Sequence, residues 1–120
     1  MTTPTLLYID DAASMRKVLS LVLDKAFSIT LADNGQAGLD ALDQQGFDVI
    51  ISDINMPVMD GLTFLEKARN HPNARFTPIL MMTTETNKAL KAEGKRLGAT
   101  GWLVKPFDPK TLPDLLHRLL

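Results

Sequence analysis

Cysteine is absent from the 120 residues. Disulfides, thiol nucleophiles and cysteine-based zinc sites are thereby excluded, while the redox compartment is left open. An excess of charge is also missing: 13 basic against 14 acidic side chains leave a net charge of -1. No global field draws such a chain to nucleic acid or to an anionic lipid surface, and neither is expected as a partner. Long apolar runs are lacking too, since none approaches the about 18 residues of a membrane span. The start, MTTPTLLYIDD, has no basic stretch, and Asp10 and Asp11 end its apolar run early. It does not read as a signal peptide, and a cytoplasmic protein is the expectation.

What is present is ordinary globular composition, 45% hydrophobic and 22% charged. That length and content suit one domain spanning residues 1–120, with enough buried surface for a core that needs no metal or disulfide. Five short apolar runs stand out: TLLYI (5–9), SITLA (28–32), DVIIS (48–52), ILMMT (79–83) and GWLV (101–104). Several are continuous rather than alternating, as strands covered on both faces of a parallel sheet are.

Helical spacing fills the gaps between them. Met15, Val18, Leu19, Val22, Leu23 and Ala26 predict a helix over 12–26. A shorter one over 36–45 follows the turn DNG, with Leu39 and Leu42 facing inward. Leu62, Leu65 and Ala68 mark a third, stopped by Pro72. A polar fourth covers 86–97, with Gly98 as the residue just past its end. Leu112, Leu115, Leu116, Leu119 and Leu120 make the last, its regular part starting between Pro109 and Leu112 because Pro113 has no N–H. Regular β–α alternation predicts an α/β fold, a doubly wound five-stranded parallel sheet. Right-handed crossovers leave few strand orders, of which 2-1-3-4-5 is a common one.

The residues at the strand ends carry the chemistry. Asp10 and Asp11 come after the first strand, Asp53 after the third, Thr83 ends the fourth and Lys105 lies just past the fifth. Open parallel sheets bind ligands outside the carboxyl ends of their strands, at the point where the winding reverses. Three carboxylates meeting there repel one another unless a cation intervenes. Magnesium suits such a site because it takes one or two carboxylates, keeps waters and accepts phosphate oxygens; Mn²⁺ is the alternative. One carboxylate then serves as nucleophile toward a phosphoryl group, and Asp53, alone at the end of a central strand, is the natural acceptor. Taken singly, each residue has a plainer account. Asp10–Asp11 suits an N-cap pair, Thr83 a β-branched strand end, and Lys105 a solvated lysine. Their joint position at the strand ends is the signal.

The motifs IDDAASMR (9–16), ISDINMPVMDG (51–61), MMTTE (81–85) and GWLVKPF (101–107) are spread over nearly the whole chain. Together they resemble the receiver domains of two-component response regulators, and are similar to those of stand-alone chemotaxis regulators of the CheY type. The resemblance implies the flavodoxin-like fold, so the 2-1-3-4-5 order is partly inherited from it. It implies transfer of a phosphoryl group from a histidine kinase to Asp53. Asp11 and Asp53 match the direct magnesium ligands, with the backbone carbonyl of Asn55 as a third, and Asp10 the carboxylate that holds metal-bound water. Lys105 matches the phosphate-binding lysine, and its bond to Pro106 is expected to be cis.

Thr83 matches the switch hydroxyl, while Asn55 and Glu85 occupy the positions that tune hydrolysis of the aspartyl-phosphate. Trp102 stands where the family usually has tyrosine, phenylalanine or histidine as a rotameric switch. Output is expected through the surface of helix four, strand five and helix five, to a protein target such as a flagellar motor switch. Self-dephosphorylation resets it, and a monomer is expected. Lys88, Lys91, Lys95 and Arg96 then read as a solvated helix face that docks a partner, and His71 and His117 are assigned no chemistry.

Three other readings compete. A magnesium-dependent phosphatase with an aspartate nucleophile would want a second aspartate where Asn55 stands. A nucleotide or flavin module would share the fold, but the loop DDAAS is acidic and free of glycine. A degenerate receiver that only binds partners is the third; the intact Asp/Asp/Asp/Thr/Lys set argues against it.

Overall fold

The computed structural model describes residues 3–84 and 88–120. Five strands, β1 (Thr5–Ile9), β2 (Ser28–Ala32), β3 (Val49–Asp53), β4 (Ile79–Thr83) and β5 (Gly101–Val104), alternate with helices. These are α1 (Ala13–Leu23), α2 (Gly35–Gln44), α3 (Gly61–Arg69), α4 (Lys88–Leu97) and α5 (Leu112–Leu119). The strands form one sheet in the order β2-β1-β3-β4-β5. Every neighbouring pair is parallel. No helix among the described residues is long and apolar enough to cross a membrane.

Alternation along each strand divides the core in two. Leu7, Ile9, Ile50, Ile79 and Met81 face one side, where they meet Leu42 of α2 and Phe64, Leu65 and Ala68 of α3. Leu6, Tyr8, Val49, Ile51, Leu80 and Met82 face the other, against Leu19 and Leu23 of α1 and Leu112 and Leu116 of α5. Central strands buried on both faces explain why their sequences run apolar without a break. The edge strand β5 is half-buried throughout. Each fully buried large apolar side chain contributes about 1.5–3 kcal/mol relative to exposure, so these two layers dominate stability.

Local sequence sets most boundaries. Asn34 caps α2 by accepting the Ala37 N–H at 2.8 Å, and Asp60 caps α3 through Thr63 N–H at 2.8 Å. Helix α1 stops short of the expected residue 26 because the N–H groups of Ala26 and Phe27 both turn back to the Leu23 carbonyl. Helix α4 closes at Gly98, whose φ is 104°; Gly98 N–H bonds Lys95 O and Ala99 N–H bonds Gly94 O, the paired bonds of a Schellman motif. The Arg69 guanidinium donates to Gly98 O, Ala74 O and Thr77 O, tying the end of α3 to that closure. A 3-10 turn over Pro109–Thr111 precedes α5, whose regular part starts at Leu112 as expected.

The loop after β3 sets the approach of α3 to Asp53. Strand β3 runs one residue further than the apolar pattern suggested and takes Asp53 into the ladder, opposite Met82. Pro57 O accepts Met59 N–H at 2.7 Å across Val58, whose φ is 70°. This is a tight turn with a β-branched residue in a sparsely allowed region. Gly61 N–H then bonds Ile54 O at 2.8 Å and returns the chain against the end of β3. A Cβ at Gly61 would stand 2.1 Å from the Asp53 carbonyl oxygen and 2.8 Å from Ile54 Cα, both backbone atoms. Only glycine lets α3 start so close to Asp53. Gly61→Ala is expected to cost about 3 kcal/mol in urea unfolding; a loss under about 1 kcal/mol would show that the loop can yield.

Candidate functional site

Strand order builds the site. The connection after β1 crosses to β2 at one side and that after β3 crosses to β4 at the other, leaving a crevice between the carboxyl ends of β1 and β3. Ile9 is paired with Ser52, so the next residues, Asp10 and Asp53, leave adjacent strands together. Asp10, Asp11 and Asp53 each offer a carboxylate oxygen within 4.8 Å of the others. Asp10 and Asp53 are buried and Asp11 is exposed at the mouth.

Lys105 enters from the far end of β5. Its N–H bonds Thr83 O at 2.8 Å, and its peptide bond to Pro106 is cis, as the motif implied. The ammonium donates to Asp53 Oδ2 at 3.0 Å and lies 3.8 Å from Asp10 Oδ2. The other Asp53 oxygen accepts Ile54 N–H at 2.9 Å. Burial nevertheless dominates: it pushes the Asp53 carboxyl above its ordinary value, against the Lys105 hydrogen bond and charge, with Asp10 adding to the rise.

Asp10 is held from several directions. Its Oδ1 accepts Ala12 N–H at 3.0 Å, and its Oδ2 accepts the Tyr8 hydroxyl at 2.6 Å. Arg16 donates to its backbone carbonyl at 2.7 Å. Burial, then the bond to Asp10, push the Tyr8 phenol well above its ordinary pKa, so it stays a donor. The plain capping account of Asp10 and Asp11 does not hold, because the N-cap of α1 is Ala12, with no side-chain cap bond.

Thr83 is buried at the end of β4, where it pairs with Val104. Asn55 is exposed in the loop two residues past Asp53. Glu85 lies outside the described residues. Trp102 is half-buried on β5, away from the carboxylates, with its ring where a Cβ at Gly94 of α4 would stand 2.3 Å from Cζ2. A cavity of about 340 Å³ opens beside it, between Lys91 and Lys95 of α4 and the strand. His71 bonds Asp43 at 2.8 Å and His117 stacks on Phe27, both away from the site. Sequence reasoning missed Tyr8 and Arg16. The signal for Tyr8 was available: residues two apart on a strand share a face, and Tyr8 and Asp10 are so spaced.

Three clustered carboxylates facing one ammonium leave a negative site made of hard oxygen donors. A divalent cation such as Mg²⁺ fits that donor set, and softer metals find neither thiolate nor imidazole among these three.

The comparisons agree with this geometry. The family model of the response regulator receiver domain matches residues 6–117. The transcriptional regulatory protein FixJ of Bradyrhizobium diazoefficiens is 42% identical over 98% of this chain, which spans 57% of FixJ's length. Chemotaxis protein CheY-3 of Vibrio cholerae is 34% identical over 95% of this chain and 89% of its own. The structure of the chemotaxis response regulator CheY4 of Vibrio cholerae superposes with a TM-score of 0.92 at 48% identity, covering 99% of this chain and 100% of that one. From within β1 to within α5, in sequence and in topology, the chain belongs to the receiver domains of two-component response regulators.

Proposed function

We propose that this chain is a phosphorylation-activated switch in which Asp53 accepts a phosphoryl group from the phosphohistidine of a histidine kinase. The observation that carries the proposal is the convergence of Asp10, Asp11 and Asp53 on Lys105 at the strand ends. A carboxylate oxygen of Asp53 attacks phosphorus, the bond from phosphorus to the donor imidazole nitrogen breaks, and an aspartyl-phosphate forms. Lys105, already on Asp53 Oδ2, moves with the charge to the incoming phosphoryl oxygens, and the Thr83 hydroxyl donates to another. Asp11, Asp53 and the Asn55 carbonyl would hold Mg²⁺ directly, with Asp10 behind them through water. When bound, the ion neutralises charge on the transferring group. Water later attacks the phosphorus, the bond from phosphorus to the Asp53 oxygen breaks, and inorganic phosphate leaves with Asp53 restored, at a rate tuned by Asn55 and Glu85.

Output passes through α4, β5 and α5. Thr83 and Trp102 sit on the neighbouring strands β4 and β5, so a change at Thr83 reaches the α4 face through Trp102. The target is a protein, with control of a flagellar motor in chemotaxis as the favoured role. A single cytoplasmic receiver domain acting as a monomer completes the proposal.

Two outcomes are expected. Intact mass after incubation with acetyl phosphate and Mg²⁺ should show one added phosphoryl group, lost when the metal is chelated and in Asp53→Asn. An unchanged mass in rapidly quenched wild type would sink the proposal. The second concerns stability without metal. Because the folded Asp53 carboxyl binds its proton more tightly than an ordinary one, its stabilising share is complete below the ordinary value of 3.8 and is lost as pH rises through the folded value. Asp53→Asn should therefore melt a few degrees above wild type at neutral pH in chelator, and that gap should close as pH falls toward the ordinary carboxylate value. Millimolar Mg²⁺ should narrow the gap by stabilising wild type alone.

A further inference from the structure

The face of β1 that packs against α1 and α5 carries Leu6, Tyr8 and then Asp10. Leu6 and Tyr8 are both fully buried, and a phenylalanine would fill the ring's place without bringing a hydroxyl that needs a partner. The hydroxyl has found one at 2.6 Å, the length of a charge-assisted O–H···O⁻ bond. Its other neighbour, Met82 Sδ, is a weak acceptor at 3.9 Å.

The consequence is geometric. An ionised carboxylate accepts about four hydrogen bonds, two on each oxygen. Ala12 N–H takes a place on Oδ1 and Tyr8 takes a place on Oδ2, so the carboxylate plane is held at both ends. Oδ2 is also the oxygen nearest Lys105, at 3.8 Å, whereas the ammonium bonds Asp53 Oδ2 at 3.0 Å. The phenol thus takes one of the two places on the oxygen through which Asp10 would compete for the ammonium, and fixes where that oxygen points.

We propose that Tyr8 is a positioning residue of the metal site: its hydroxyl keeps the Asp10 carboxylate turned toward the crevice and apart from Lys105. Asp10 then faces the cation, and Lys105 stays on Asp53. This role rests on the cation site proposed above. Partners behind a metal's own ligands typically change affinity by about 10- to 100-fold when removed. Since Asp10 acts through water, the lower end applies.

The test is calorimetric titration with MgCl₂ of wild type, Tyr8→Phe, Asp10→Asn and the double variant, beside metal-free melting curves. Tyr8→Phe should raise the Mg²⁺ dissociation constant about tenfold while melting within a few degrees of wild type. In the Asp10→Asn background the same change should have no further effect, because there is no carboxylate left to position. A Tyr8→Phe protein that melts lower but binds Mg²⁺ within twofold of wild type has lost packing alone, and the role is overturned. An equal loss in the Asp10→Asn background overturns it too, since the phenol would then act elsewhere. Wild type that binds no Mg²⁺ takes down the cation site together with this role; wild type that binds beside an unchanged Tyr8→Phe takes down only the role.

Discussion

The repulsion among Asp10, Asp11 and Asp53, opposed at 3.0 Å by the Lys105 ammonium, is the constraint around which the rest of the molecule is arranged. Burial raises the Asp53 carboxyl above its ordinary value, and the Asp10 charge beside it adds to the rise. A loose chain would relieve the strain by letting the side chains separate. Here two parallel strands, paired residue by residue from Leu6↔Val49 to Ile9↔Ser52, deliver Asp10 and Asp53 side by side and leave them no route apart. The apolar layers above and below the sheet hold the strands in place and so hold the carboxylates in a high-energy arrangement. That arrangement is what a divalent cation would relieve, and the hard carboxylate oxygens suit one.

Stability is unevenly distributed in a way that suits a switch. Helix α3 buries Gly61, Phe64, Leu65 and Ala68, and Arg69 ties its end to loop and cap carbonyl groups. Helix α4 has only Gly94 fully buried among its described residues, and it leans on β5, an edge strand with no fully buried residue. Segments with few buried apolar contacts open and shift at lower free energy than the core. The α4 and β5 part of the face proposed to signal is therefore less deeply packed than the central strands. The carboxylates stand at the ends of the buried central strands β1 and β3. Trp102 lies between the two, its indole in the space that Gly94 leaves open.

Much of this was legible in advance. The strand runs at 5–9, 28–32, 79–83 and 101–104 match the observed strands residue for residue, because continuous apolar runs bounded by turn residues are a local signal. The closing Gly98 is local as well. Less legible were the end of β3, where a polar Asp53 continues a buried ladder, and the end of α1, where a pattern reaching Ala26 outran the helix. In both places tertiary pairing or a turn back to Leu23 outweighed periodicity.

By itself, then, the sequence determined the order and type of the elements and put Asp10, Asp53, Thr83 and Lys105 next to strand ends, since spacing and turn chemistry act over a few residues. Only the tertiary structure decided how those groups meet. Lys105 lies 52 positions from Asp53 and bonds it at 3.0 Å, while Asp10 stays at 3.8 Å with its own oxygen taken by Tyr8. No local pattern encodes that choice. It arises from which strands are neighbours, in what register, and from how completely the packed layers exclude water, which also raises the Asp53 carboxyl above its ordinary value.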